Sequence, residues 1–271
     1  MIDFPNAKIN LGLNIINKRP DGYHNIETIF YPVPVKEALE IVEASEFEFK
    51  QSGILIDGPA EKNLVVKAYN LLRDRYGIGP VSIHLLKTIP FGAGLGGGSA
   101  DAAFTLRLLN KLFGLNIPTS ELEELAATLG ADCPFFIQNK PVFASGIGNI
   151  FEPIELNLSN YYLCLVKPDV AVPTPEAYAM VKPHMPEISL KEIIKRPLSD
   201  WRELMENDFE TSVFPKHPII RNIKEEMYHQ GAIYASMSGS GSSVYGLFEH
   251  PTSLTDKALF PDCFIREGKM E

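Results

Sequence analysis

The chain has 271 residues, 45% of them hydrophobic and 22% charged, enough for one large domain or two moderate ones with a substantial core. Its net charge of −9 includes no basic stretch that could follow a phosphate backbone, so nucleic acid is not an expected partner. No apolar run approaches the roughly 18 residues of a membrane helix, and the opening MIDFPNAKINLGLNII lacks the layout of a secretory signal, so a cytoplasmic protein with no membrane partner is expected.

In chain order, Ile9, Leu11, Leu13 and Ile15 alternate with Asn10, Gly12 and Asn14, the period of a strand. Further strands are predicted over 26–33, 37–43, 47–56 and 81–87, the last alternating through Val81, Ile83 and Leu85. Leu64, Ala68, Leu71 and Leu72 recur at near-helical spacing and predict a helix over 62–76. A second helix is predicted from Ser99 to Phe113, stopped by a left-handed Gly114. A third opens on a capping box of Ser120 and Glu123 and ends at Gly130. Beyond 150 the pattern predicts a strand at 161–167 and helices near 175–181, 189–195, 202–212 and 218–230, then two strands around a Ser/Gly turn within 232–248. Strands and helices grouped in this way predict an α+β fold of two lobes, 1–150 and 151–271, with a cleft between them. The three cysteines, Cys133, Cys164 and Cys263, are odd in number and far apart, as suits a reducing compartment. Neither they nor the six scattered histidines have metal-ligand spacing.

The strongest chemical signal is TIPFGAGLGGGSADAA at 88–103. A strand feeds five glycines within seven residues, followed at once by an alanine-rich helix. Glycines let backbone N–H groups approach a ligand with no Cβ in the way, and a helix N-terminus adds orphan donors and partial positive charge. The combination suits a di- or triphosphate. Gly92, Gly94 and Gly97 also fit G-x-G-x-x-G. The acidic residue a dinucleotide site needs about 20 positions on, after a second parallel strand, has no convincing candidate, because 111–123 reads as a loop and helix start. A Walker loop from Gly92 requires lysine where Gly98 stands. A phosphate loop of a third kind is the reading that remains.

PFGAGLGGGSADAA resembles the phosphate loop of the galactokinase, homoserine kinase, mevalonate kinase and phosphomevalonate kinase superfamily, the GHMP kinases. PNAKINLGLNI near the N-terminus resembles their first motif, and SMSGSGSSVYGLF at 236–248 their third. Within that superfamily, RPDGYHNIETIF at 19–30, LGADCPFF at 129–136 and VPTPEAY at 172–178 are similar to the 4-diphosphocytidyl-2-C-methyl-D-erythritol kinases of the non-mevalonate isoprenoid route.

The resemblance implies a two-lobed enzyme, an ATP-binding lobe followed by a substrate lobe, that transfers the ATP γ-phosphate to a 2-hydroxyl. Its substrate would be a small molecule carrying a cytidine diphosphate group. Lys8 and Asp132 match the family's catalytic pair, Asp132 as base and Lys8 as its electrostatic partner. Asn63, Leu64, Lys87, Pro90, Gly92, Gly94, Leu95, Gly96, Gly97, Gly98 and Ser99 match the nucleotide site. Lys87 and the Asn63–Leu64 pair fall at the adenine pocket, and Ser99 falls near the phosphates. Asn10, Tyr23, His24, Phe30, Thr174 and Tyr178 match positions around the cytidine diphosphate portion, where stacking of cytosine between Tyr23 and Tyr178 with a hydrogen bond from His24 is chemically sensible. Mg2+ is expected with ATP, with its protein ligands unassigned. The oligomeric state is left open. Two other readings stand beside this one: a homoserine or mevalonate kinase, for which an aromatic cluster is superfluous, and a silent nucleotide-binding module, which would not need both Lys8 and Asp132.

Overall fold

The computed structural model describes residues 1–55, 58–255 and 259–271. The chain opens on β1 (Ile2–Asp3), β2 (Asn6–Lys18), β3 (His24–Lys36), β4 (Ala38–Glu43) and β5 (Glu48–Gly53). Helix α1 (Leu64–Tyr76) and β6 (Val81–Lys87) follow, then α2 (Gly97–Leu112), α3 (Thr119–Leu129) and the short α4 (Phe135–Gln138). Next come β7 (Val142–Ser145), β8 (Ile150–Pro153), β9 (Tyr162–Lys167) and helices α5 (Thr174–Tyr178), α6 (Leu190–Ile193), α7 (Trp201–Leu204), α8 (Glu210–Lys216) and α9 (Pro218–His229). Strands β10 (Tyr234–Met237), β11 (Val244–Phe248) and β12 (Phe264–Lys269) complete an α+β architecture. Ile56, the last residue of the strand expected over 47–56, lies outside the described residues.

The chain folds into two compact units. One comprises residues 1–7, 35–91 and 96–140; the other comprises 8–34, 92–95 and 141–271. The expected single boundary at 150 therefore does not describe the units. The reason is strand pairing: β3 is hydrogen-bonded to β7 with Thr28 opposite Ala144, and β7 to β8, so 8–34 groups with the later half of the chain.

In the first unit the sheet runs β1–β4–β6–β5. β4 is antiparallel to β6 and β5 is parallel to it. A parallel pair needs a long crossover, and here α1 supplies it. Along β6, Val81, Ile83, Leu85 and Lys87 are buried while His84 and Leu86 are exposed, so the strand period carries a lysine into the row of core residues. Helix α2 packs on α1, α3, α4 and β4. Its alanines (Ala100, Ala102 and Ala103 are fully buried) permit that many close neighbours.

The expected capping box on α3 does not form. Pro118 is the N-cap, with φ −67 and ψ 155, and no side chain caps the helix. The fixed proline φ starts the helix at Thr119, which leaves Ser120 inside the first turn.

The second unit holds two sheets, β2–β3–β7–β8 and β10–β11–β9–β12. Its core includes Leu13, Ile15, Val166, Phe209, Ile223 and Val244. The helix expected over 202–212 is divided into α7 and α8 because tertiary bonds take over the segment between them. Leu13 N–H donates to Glu206 O (2.8 Å), Asp208 N–H to Leu13 O (2.8 Å), and Ile15 N–H to Asp208 Oδ2 (2.6 Å). Pairing with β2 thus replaces the i→i−4 bonds of a continuous helix.

Candidate active site

Strand β2 places its even-numbered residues in a buried polar row beside the apolar row Ile9–Leu11–Leu13–Ile15. Lys8 and Asn10 are both buried. Lys8 Nζ donates to Asn10 Oδ1 at 2.6 Å, Asn10 Nδ2 donates to Thr28 Oγ1 at 3.0 Å, and Thr28 Oγ1 donates to Gly12 O at 2.5 Å. The ammonium also lies 4.5 Å from the centroid of the Phe30 ring, a cation–π distance. The amide is therefore fixed at both ends, and Asn10 and the Phe30 ring help to set the lysine's direction. Thr28 is a member of this row that the sequence reading missed; its place opposite β2 was not visible before the β2–β3 pairing was known.

The Ser/Gly turn between β10 and β11 carries the glycine loop. Ser238 Oγ accepts from Asn10 N–H at 3.2 Å and donates to Gly94 O at 2.9 Å. Lys8 N–H donates to Leu95 O at 2.9 Å, and Ser243 N–H to Ala93 O at 3.3 Å. Gly94 has φ +75, and a Cβ there would lie 2.1 Å from Ser238 O. Any side chain would lift the loop off the turn, so glycine is required by contact as well as by conformation. The Ser/Gly turn thus brings its backbone close against the glycine loop. Asn207 Nδ2 braces the turn by donating to Met237 O (2.8 Å) and Gly239 O (2.9 Å).

Past Leu95 the loop runs into α2. Gly97, Gly98 and Ser99 are its first residues, where backbone N–H groups have no acceptor within the helix. Cys133 stands next to Asp132 in the turn between α3 and α4. Burial first, opposed by the Ser99 hydroxyl and helped by the Asp132 charge, pushes the Cys133 thiol up to about 11, so it remains a neutral thiol. Asp132 itself is half-buried. Asn63 caps α1, its Oδ1 accepting from Val65 N–H at 2.9 Å. Leu64 lies beside Gly98, 3.8 Å from where a Cβ would stand. Pro90 and Gly92 precede the loop, with Gly92 exposed and open space where its Cβ would be. Lys87, expected at the adenine pocket, is 1% exposed and held between Glu37 and Asp101.

Of the residues expected around the substrate, His24 and Tyr178 come together. Their rings stack with centroids 4.7 Å apart and an interplanar angle of 17°, and Phe209 meets Tyr178 edge-on at 4.8 Å. Burial first, and the Lys18 charge second, pull His24 below the usual imidazole range, which favours a neutral ring. Tyr23, expected to stack on the cytosine opposite Tyr178, is 62% exposed. Thr174 is exposed at the start of α5. No group of three or more His, Cys, Asp or Glu side chains able to hold a metal ion occurs among the described residues. No helix among them is long and apolar enough to cross a membrane.

Residues 63–140 match the GHMP kinases N terminal domain, and residues 189–258 the GHMP kinases C terminal domain. A protein of Parabacteroides distasonis named 4-diphosphocytidyl-2-C-methyl-D-erythritol kinase is 66% identical, with the match covering 100% of each chain. The crystal structure of a 4-(cytidine 5'-diphospho)-2C-methyl-D-erythritol kinase, 31% identical, matches with a TM-score of 0.83 over 98% of both chains. The mevalonate kinase of Methanococcus jannaschii, 17% identical, matches with a TM-score of 0.73 over 100% of this chain and 98% of that one, a likeness of fold alone. A glycine loop seated on a Ser/Gly turn, a buried lysine row on β2 and these likenesses agree, and the chain belongs to the GHMP kinases, in the family of the 4-diphosphocytidyl-2-C-methyl-D-erythritol kinases.

Proposed function

We propose that this kinase transfers the γ-phosphate of ATP to the 2-hydroxyl of 4-diphosphocytidyl-2-C-methyl-D-erythritol, giving the 2-phosphate and ADP. The observation that carries the substrate is the 66% identity, over the whole chain, to a relative bearing that enzyme's name. In the reaction the substrate oxygen bonds to the γ-phosphorus as the bond to the β–γ bridging oxygen breaks, and the hydroxyl proton is lost. Asp132 takes that proton or orients the hydroxyl. Lys8, aimed by Asn10 and Phe30, offsets charge on the transferring group. Backbone N–H groups of Gly92 through Ser99 hold the phosphates, an anion site that needs no side-chain cation.

Magnesium would arrive with the nucleotide, because it commonly takes only one or two protein carboxylates beside phosphate oxygens. His24 and Tyr178 offer an aromatic surface for the cytosine, with Asn10, Tyr23, Phe30 and Thr174 as further substrate contacts. The three free cysteines support work in a reducing compartment, and we assign the enzyme to the cytoplasm.

A coupled ADP-release assay with magnesium and ATP tests this reading, offering the cytidyl substrate against homoserine and mevalonate. Turnover on the cytidyl substrate alone is expected. Turnover on another alcohol would overturn the substrate, and silence on all three with ATP still bound would leave a nucleotide-binding module.

A further inference from the structure

Under the first turn of α2 lies a charge cluster that the proposed reaction does not use. Lys87 Nζ, from the end of β6, donates to Glu37 Oε1 at 2.5 Å and to Asp101 Oδ2 at 2.8 Å. The three side chains are 1%, 0% and 3% exposed. Two carboxylates against one ammonium leave one negative charge in excess. The outer oxygens, Glu37 Oε2 and Asp101 Oδ1, are buried without hydrogen-bond partners. An unmet, charged acceptor in such a place is costly. A proton on one carboxyl cancels the excess and turns an unmet acceptor into a donor.

The cluster also touches the phosphate end of the helix. A Cβ on Gly97 would stand 3.1 Å from Lys87 Nζ and 3.3 Å from Glu37 Oε1. Asp101 follows Gly97 by four residues, on the same helical face. Glu37, Lys87 and Asp101 are therefore the floor on which the first turn of α2 rests. A net negative floor opposes the binding of an anion at that helix N-terminus, and a neutral floor does not.

We propose that Glu37, Lys87 and Asp101 are positioning residues for the glycine loop and that the cluster carries one extra proton when nucleotide phosphates are bound. The charged groups bearing on Glu37 are Lys87 from β6 and Asp101 from α2. Burial first, and the Asp101 charge second, push Glu37 up to about 7, while Lys87 opposes them. Burial likewise raises Asp101. For Lys87, burial pulls down but Asp101 and Glu37 outweigh it, so the ammonium stays charged. The inference rests on the reading of the loop as a phosphate site and goes beyond it by linking that site to a proton.

The test is the affinity for MgATP by calorimetry on either side of pH 7, for the wild type and for Glu37→Gln, which mimics the protonated acid. Comparing the two in identical buffers removes the nucleotide's own titration. The wild type is expected to bind more weakly as pH rises, by up to about tenfold for each unit by which bound phosphates raise the Glu37 pKa. Glu37→Gln should lose that dependence and hold the low-pH affinity, and repeating the titration in buffers of different ionisation heat should show proton uptake in the wild type that the variant lacks. Superimposable profiles would overturn the proposal. Should the variant not fold, the infrared spectrum of the wild type saturated with MgATP decides: a buried protonated carboxyl band at neutral pH supports the proposal, and its absence overturns it.

Stability gives an independent reading. Glu37 rises from its ordinary 4.5 to about 7 on folding, so the native state binds this proton more tightly between those values. The associated stabilisation is complete below about 4.5 and lost as pH climbs to about 7. The urea midpoint of the wild type should fall across that window more steeply than that of Glu37→Gln. Proton-linked ATP binding without transfer to the cytidyl alcohol would sink the proposed substrate and leave this inference standing; failure of the wild type to bind ATP would overturn both.

Discussion

Among the described residues two lysines are buried, Lys8 and Lys87, and their neighbours differ in kind. Lys8 on β2 is 4% exposed, donates to a neutral amide and lies over an aromatic face. Lys87 at the end of β6 is 1% exposed and clamped by two carboxylates. The amide and the ring orient the first charge. The carboxylates consume the second in holding β6 and α2 together. Burial alone thus does not tell the two lysines apart; the chemistry of their neighbours does.

Substitutions can separate the two. The largest effect expected is that of Lys87→Met, which strands two buried carboxylates and should cost about 3–5 kcal/mol, much of the margin of a typical domain. Chemical denaturation measures it, and a variant as stable as the wild type would show the cluster to be dispensable. Asp132→Asn should lower kcat by roughly 10²–10⁴-fold while leaving ATP bound. Retained turnover in steady-state assays would remove Asp132 from its role.

Lys8→Met should lower kcat by about 10²–10³-fold, the typical loss of one transition-state donor, with a melting temperature close to that of the wild type. A large loss of stability with kcat intact would reverse the comparison and make Lys8 the structural lysine. The smallest effect belongs to Tyr23→Ala. Exposed as it is, this residue should leave the melting temperature unchanged while raising KM for the cytidyl substrate about ten- to a hundredfold by lost stacking. An unchanged KM would leave the His24–Tyr178 pair as the base-binding surface.

Much of this could be read from the residues. The strands at 81–87 and 161–167, the helices bracketing the glycine loop and the left-handed stop at Gly114 follow local rules, and local rules hold there. The same alternation that predicted β6 puts Lys87 in phase with Val81, Ile83 and Leu85, and so already pointed it into the core. What the pattern could not supply was the identity of its partners, which come from β3–β4 and α2, 50 and 14 residues away. The division between α7 and α8 was hidden for a similar reason. Residues 202–206 favour a helix in isolation, and the hydrogen bonds that join Glu206 and Asp208 to Leu13 and Ile15 end it in a stretch, Asn207-Asp208, of weaker propensity. At the site, the glycine loop announced itself by composition. Its seat on Ser238 could not, because a serine among serines carries no signal until the chain has folded.

That seat has a consequence for the order in which the protein matures. Ser238 lies 144 residues after Gly94 and 228 after Asn10, yet its hydroxyl joins both. During synthesis every glycine of the loop leaves the ribosome long before the residue that anchors it, and contacts of such long sequence separation form late. A nascent or truncated chain ending before Ser238 therefore has the whole glycine motif but lacks the hydroxyl that ties Gly94 to Asn10. The loop and β2 thus wait for the same serine, which arrives only with the last strands.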